Sequence, residues 1–206
     1  MENYDFDYYL IEKDGNYMSP SLMENDDDDD DTDGFDYLYD MELAPENTTS
    51  YLTFSPPFPK KPEMVDYHFF EGWQVYSKKI YDVLKTKEIK GLQLVPCIIH
   101  SNKGLEYKDY WIANVYQEYA FLDPDKSDRE GSINAKGSWA MVNSMVLDKE
   151  KVLQVPLEER LLFVVKESCG YMLYHKTVVD LIMSVNPIGL KFIHINDWYN
   201  GVQYKQ

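Results

Sequence analysis

Apolar residues recur in the same order along two stretches of the chain, and that repeated order predicts the two helices around which the rest is arranged. Ile80, Val83 and Leu84 stand at i, i+3 and i+4, and Val178, Leu181, Ile182 and Val185 extend the spacing to i+7, so each set forms one apolar stripe on a helix. A shift of 98 positions superposes the copies and also carries Gly91, Leu92 and Leu94 onto Gly189, Leu190 and Phe192. Each copy therefore reads as a helix, a glycine and an apolar strand. Ser77 is the expected N-cap of the first helix, and Asn186-Pro187 ends the second because a residue before proline is pushed out of the α region. Gly91 and Gly189 suit the left-handed position beyond a helix end. Residues 92–99 and 190–195 have few polar breaks, which places both strands centrally in a sheet. Taken alone the repeat is scaffold, since an apolar stripe is core.

The remaining pattern supplies more strands. Tyr4, Phe6, Tyr8 and Leu10 alternate with Asp5, Asp7 and Tyr9, the period of a half-buried strand, and Asp14-Gly15 carries hairpin turn chemistry. Residues 92–100 and 107–115 flank the polar tip Ser101-Asn102-Lys103-Gly104 and read as an antiparallel hairpin. Residues 141–147 and 161–166 are two further apolar runs. Residues 123–137, with Pro124 and several glycine and serine positions, read as a loop, and 148–160 is charged and broken at Pro156. Pro45, Pro56, Pro57, Pro59 and Pro62 leave residues 43–64 as a connecting segment. The order fits an α+β fold with a mixed, largely antiparallel sheet, two helix-Gly-strand repeats and an acidic N-terminal extension. The expected division is an N-terminal hairpin, acidic loop and Pro-rich connection over 1–64, then an α+β domain over 65–206.

Charge changes this picture because it is so uneven. Residues 1–50 hold 17 acids against the single base Lys13, so the formal charge of −16 resides in that quarter, while the remaining acids and bases cancel. A nucleic-acid binder needs a basic face, which excludes that class, and the imbalance favours a basic partner. No run reaches the 18 apolar residues or so of a membrane span. The start MENYDFDYYLIEKDG lacks a cationic segment leading into an apolar one, so the expectation is a cytoplasmic protein with Cys97 and Cys169 reduced and buried.

Candidate chemistry is sparse. Asp29, Asp31, Asp33, Gly34 and Asp40 fall on positions of a calcium-loop pattern, yet a poly-aspartate run matches that pattern in any frame, and Asp40 stands where the bidentate Glu belongs. A solvated acidic loop is the simpler reading. His68, His100, His175 and His194 lie in no nucleophile or metal motif, and Cys97 and His100, three apart on a strand, project to opposite faces. No phosphate loop, nucleophile elbow or dinucleotide fingerprint occurs. The sequence thus calls for no catalytic residue, metal or cofactor.

Several stretches together resemble the eleventh family of immunity proteins from bacterial polymorphic toxin systems. They are Asp66-Tyr67-His68-Phe69, Tyr76-Ser77 opening a helix, Gly91-Leu92-Gln93-Leu94-Val95-Pro96, Tyr110-Trp111-Ile112-Ala113-Asn114-Val115, Asp123, Ser127, Leu162-Phe163-Val164-Val165-Lys166-Glu167 and Gly189-Leu190-Lys191-Phe192. The likeness spans residues 65–197, and it departs from the family at Tyr76, at His175 where serine is common, and in the aspartate run. It implies a cytosolic protein that binds and silences a cognate secreted toxin and performs no chemistry. Tyr110, Trp111, Asn114, Asp123 and Ser127 match its pattern and read as a hairpin edge with a capped loop. For the toxin-binding surface the expectation is Asp26, Asp27, Asp28, Asp29, Asp30 and Asp31 as steering charges, with Tyr110, Trp111 and Tyr119 as aromatic anchors against a basic active-site surface. The alternatives are a calcium-responsive or other cytosolic interaction module, and an enzyme of unrecognised type.

Overall fold

The two predicted stripes pack against each other between two sheets. The computed structural model describes residues 6–25, 35–135, 137–168 and 170–202. In chain order its elements begin β1 (Tyr8–Lys13), β2 (Ser21–Glu24), α1 (Phe35–Tyr39), β3 (Ser50–Ser55), β4 (Tyr67–Phe70), β5 (Trp73–Ser77), α2 (Lys78–Leu84), β6 (Leu92–His100) and β7 (Glu106–Val115). There follow β8 (Glu118–Tyr119), β9 (Arg129–Ile133), β10 (Trp139–Val142), α3 (Lys149–Leu153), β11 (Leu162–Val165), β12 (Met172–His175), α4 (Lys176–Met183) and β13 (Leu190–His194). One sheet runs β13-β1-β12-β11-β8 and the other β2-β3-β6-β7-β5-β4, with β9 and β10 forming a separate ribbon. Pairing is antiparallel except at β11/β8 and β3/β6, so the fold is α+β with mixed, largely antiparallel sheets. The six-stranded sheet curls until β2 lies alongside β4, enclosing Leu52, Phe70, Val75, Ile99 and Ile112.

The repeat is a duplication of a whole sheet unit. The hairpin β4-β5 leads into α2 and then β6, as β11-β12 leads into α4 and then β13. In the first unit β7 lies between β5 and β6, and in the second that place is taken by β1 from the other end of the chain. The registers agree residue for residue. Trp111 faces Tyr76 and Ala113 faces Leu94 in the first unit, as Tyr9 faces Tyr174 and Ile11 faces Phe192 in the second. Hydrogen bonds agree as well: Tyr110 Oη donates to Val65 O at 3.0 Å and Tyr8 Oη to Arg160 O at 3.2 Å. Likewise Tyr116 N donates to Gly91 O at 2.9 Å and Asp14 N to Gly189 O at 3.0 Å. β4 touches β1 as β11 touches β7, and this reciprocity gives the two units an approximate two-fold relation.

Near that axis Ile80, Leu84, Val178 and Ile182 are buried in one cluster, and the hydroxyls of the equivalent residues Tyr76 and Tyr174 meet at 2.7 Å. Both rings are fully buried, and burial drives both phenols well above their ordinary pKa. Removing one hydroxyl strands its buried partner, whereas removing both leaves neither unpaired. Tyr76→Phe and Tyr174→Phe are therefore each expected to cost about 1–3 kcal/mol, and the double variant no more than either single one. Urea denaturation of the four proteins measures this; additive costs would show that the hydroxyls do not depend on each other.

Several expectations are corrected. Residues 8–13 form no hairpin with the next strand: Asp14-Gly15 instead turns the chain from β1 in one sheet to β2 in the other. The proline-rich stretch 43–64 contains β3, because its prolines flank residues 50–55 and leave that strand's N–H groups intact. β1 pairs with β12 and β3 with β6, so residues before 64 take part in both sheets. Residues 123–137 contain β9, whose five residues are all exposed and so leave no apolar alternation in the sequence. β6 is internal, but β13 is an edge strand. Val83 and Leu181 are only half-buried at the margin of their stripes. Ser77 Oγ makes no cap bond and donates to Asp66 Oδ1 at 2.6 Å, while His175 Nδ1 caps α4 by accepting from Thr177 N at 3.2 Å.

Gly91 and Gly189 do adopt the left-handed conformation, at φ +80° and +88°. A Cβ on Gly189 would meet Val65 at 2.5 Å, so the glycine also serves close packing between the units.

Candidate functional site

Strand alternation sends Tyr110 and Trp111 to opposite faces of β7. Tyr110 is buried against the six-stranded core with its hydroxyl on Val65 O, so it presents no anchor surface. Trp111 faces α2 and stacks on Tyr81, ring centres 3.9 Å apart at 12°, with Lys85 Nζ 4.8 Å from the centre of the Tyr81 ring. Tyr119 lies at the edge of the other sheet on β8, stacked on Phe121, and its hydroxyl donates to Glu159 O at 3.3 Å. The three predicted aromatics thus form no common patch, and Asp26 to Asp31 lie outside the described residues. So do Asp29, Asp31, Asp33 and Gly34 of the calcium-loop pattern, and Cys169.

The histidines and the described thiol are absorbed by the fold. His68 is buried on β4, where burial lowers its pKa to about 4 and its Nε2 accepts from Val65 N at 3.4 Å. His194 Nε2 pairs with Asp7 at 3.2 Å. Burial pushes the Cys97 thiol far up, away from thiolate chemistry. Among the described residues no group of three or more His, Cys, Asp and Glu side chains is placed to hold a metal ion.

A cleft of about 590 Å³ opens where β1 and β12 approach β4, with β10, the turn before β12 and the segment after β13 forming its other walls. Its position follows from the duplication: β1 ends beside the free edge of the six-stranded sheet. Glu12 continues the face of Tyr8 and Leu10, so its carboxylate enters the cleft on an otherwise apolar face, where Trp198 Nε1 donates to Oε1 at 3.1 Å. Burial raises the Glu12 pKa, opposed by the Trp198 hydrogen bond and by Lys191 across the strand pair. Lys13 lies at the rim with Nζ donating to Ser19 O at 3.1 Å, and burial lowers its pKa. Gln74 is 5% exposed, and its Oε1 has no hydrogen-bond partner. Phe69 and Met141, 51% and 45% exposed, stand at the mouth, backed by Tyr67, Trp139, Tyr171 and Trp198.

Sequence reasoning missed this group. The available signal was Glu12 itself, a carboxylate continuing the period-two apolar face of Tyr8 and Leu10. Gln74 and Trp139 carried none, because they reach the cleft only through non-local packing.

Comparison with known families places the chain beside one of immunity proteins. The model of the immunity protein family Imm11 matches residues 9–197, from β1 through β13. No curated protein matches the chain.

Proposed function

We propose, for a chain that belongs to the immunity protein family Imm11, that it binds a cognate toxin in the cytoplasm and neutralises it by stoichiometric occlusion. The family match carries this reading, because it covers both duplicated units and includes β1. The chemistry of the described residues supports it. The histidines and Cys97 serve packing, capping or side-chain pairing, and the exposed Phe69 at the cleft mouth, together with the half-buried Trp111–Tyr81 stack, suits a binding face. The partner presents a basic surface, attracted by the acid-rich residues 1–50.

Exposed charges act mainly on encounter, whereas packed rings set how long a complex lasts. Replacing Asp26 to Asp31 with serine is therefore expected to slow association with the toxin and flatten its salt dependence, with little change in dissociation. Trp111→Ala is expected to speed dissociation instead. Stopped-flow binding to the toxin encoded beside this gene, across a salt series, measures both. Association of the unaltered protein that ignores salt would remove the steering role, and protection at far below one molecule per toxin would replace occlusion with turnover.

A further inference from the structure

We propose that the cleft between β1, β4 and β10 receives an arginine side chain of the toxin, with its stem against Phe69 and Trp139 and its guanidinium at Glu12 and Gln74. The proposal rests on the immunity reading and names one part of the toxin that the protein holds. The lining decides the chemistry. Glu12 offers a carboxylate that takes one hydrogen bond, from Trp198, and Gln74 offers a buried oxygen with no partner. An anion would meet the Glu12 charge, and a wholly apolar group would leave the Gln74 oxygen unpaired and take water from the second Glu12 oxygen. A guanidinium supplies five donors in a planar fork on an apolar stem, and such a plane also stacks on aromatic faces.

The cation within the lining, Lys13, is drawn aside by Ser19 O, while Lys191 stands opposite Glu12 on β13 outside the lining. Arg129 lies over the Trp139 ring, 4.8 Å from its centre, which shows that this ring accepts a guanidinium. Bringing a cation to Glu12 offsets the burial that disfavours its ionised form. The cleft volume of about 590 Å³ accommodates a side chain together with flanking main chain. The acid excess of residues 1–50 selects the same partner charge at long range.

The test uses the full chain with its tryptophan indoles labelled with nitrogen-15, since Trp139 and Trp198 line the cleft while Trp111 does not. N-acetyl-argininamide is the probe, and N-acetyl-citrullinamide is its neutral isostere. The expected result is a saturable shift of the Trp139 and Trp198 signals with the arginine probe, and binding of the citrulline probe weaker by roughly tenfold or more, the scale of losing a charged hydrogen bond. Glu12→Gln should lose the preference for arginine, and Phe69→Ala, a change at the exposed mouth, should weaken both probes without unfolding the chain. Equal response to the two probes, or no saturable shift at Trp139 and Trp198, overturns the proposal. A chain that neutralises its toxin one to one but ignores arginine keeps the immunity reading and loses the cleft. An arginine response without neutralisation removes the toxin as the bearer of that side chain and refutes the immunity reading.

Discussion

Deleting residues 1–13 is expected to unfold the protein rather than shorten it. β1 is hydrogen-bonded on both sides, to β12 and to β13, and its removal would leave β13 with no neighbour in the five-stranded sheet. Tyr8, Leu10 and Ile11 are buried, each contributing on the order of 1.5–3 kcal/mol, so their joint loss is comparable with the whole stability of a domain, about 5–15 kcal/mol. Deletion also takes the Tyr8 hydroxyl from the buried Arg160, whose guanidinium donates to it at 2.6 Å. A thermal melt followed by circular dichroism should show no cooperative transition for residues 14–206, and a peptide of residues 1–13 added in trans should restore one. If the shortened chain melts cooperatively within a few degrees of the full chain, β1 is an accessory strand and the duplicated-unit account of the fold fails.

That expectation marks where the sequence stopped being legible. The helix–glycine–strand repeat could be read because its parts follow one another at a constant shift of 98, and the same shift pairs Tyr76 with Tyr174, the residues whose hydroxyls meet. The fourth strand of each unit breaks that order. β7 follows its unit whereas β1 precedes everything, and Tyr110-Trp111-Ile112-Ala113 resembles Tyr8-Tyr9-Leu10-Ile11 only in apolar character over a short span. Local pattern found β1 as a half-buried strand but could not supply its neighbours, because sheet pairing between the two ends of a chain leaves no local trace. β3 was hidden by its flanking prolines and β9 by its exposure. The cleft was less legible still: Glu12, Gln74 and Trp198 come from three distant segments and are joined only by the way β1 ends at the free edge of the other sheet. Acidic composition pointed to a partner's charge without indicating which described surface meets it.

The two helical stripes carry the second large expectation. Leu84 and Ile182 occupy equivalent positions in the units, at 3% and 0% exposure, within the cluster that joins the sheets. Truncating either to alanine removes several buried carbons and leaves a space that close-packed neighbours fill only in part, so each change should cost about 2–5 kcal/mol. Ile182 lies in a fully enclosed place between α4 and the core, whereas Leu84 stands at the last residue of α2, where the chain can settle inward. The loss at Ile182 should therefore be the larger. Because α2 and α4 touch, the double variant should depart from the sum of the singles by at least about 0.5 kcal/mol, as contacting sites do. Lys87→Ala, on the exposed side beyond α2, should stay within about 0.5 kcal/mol. Urea denaturation followed by tryptophan fluorescence gives all four values. Should Leu84→Ala leave stability unchanged yet abolish toxin binding, the α2 stripe would be an interface rather than the seam between the two units.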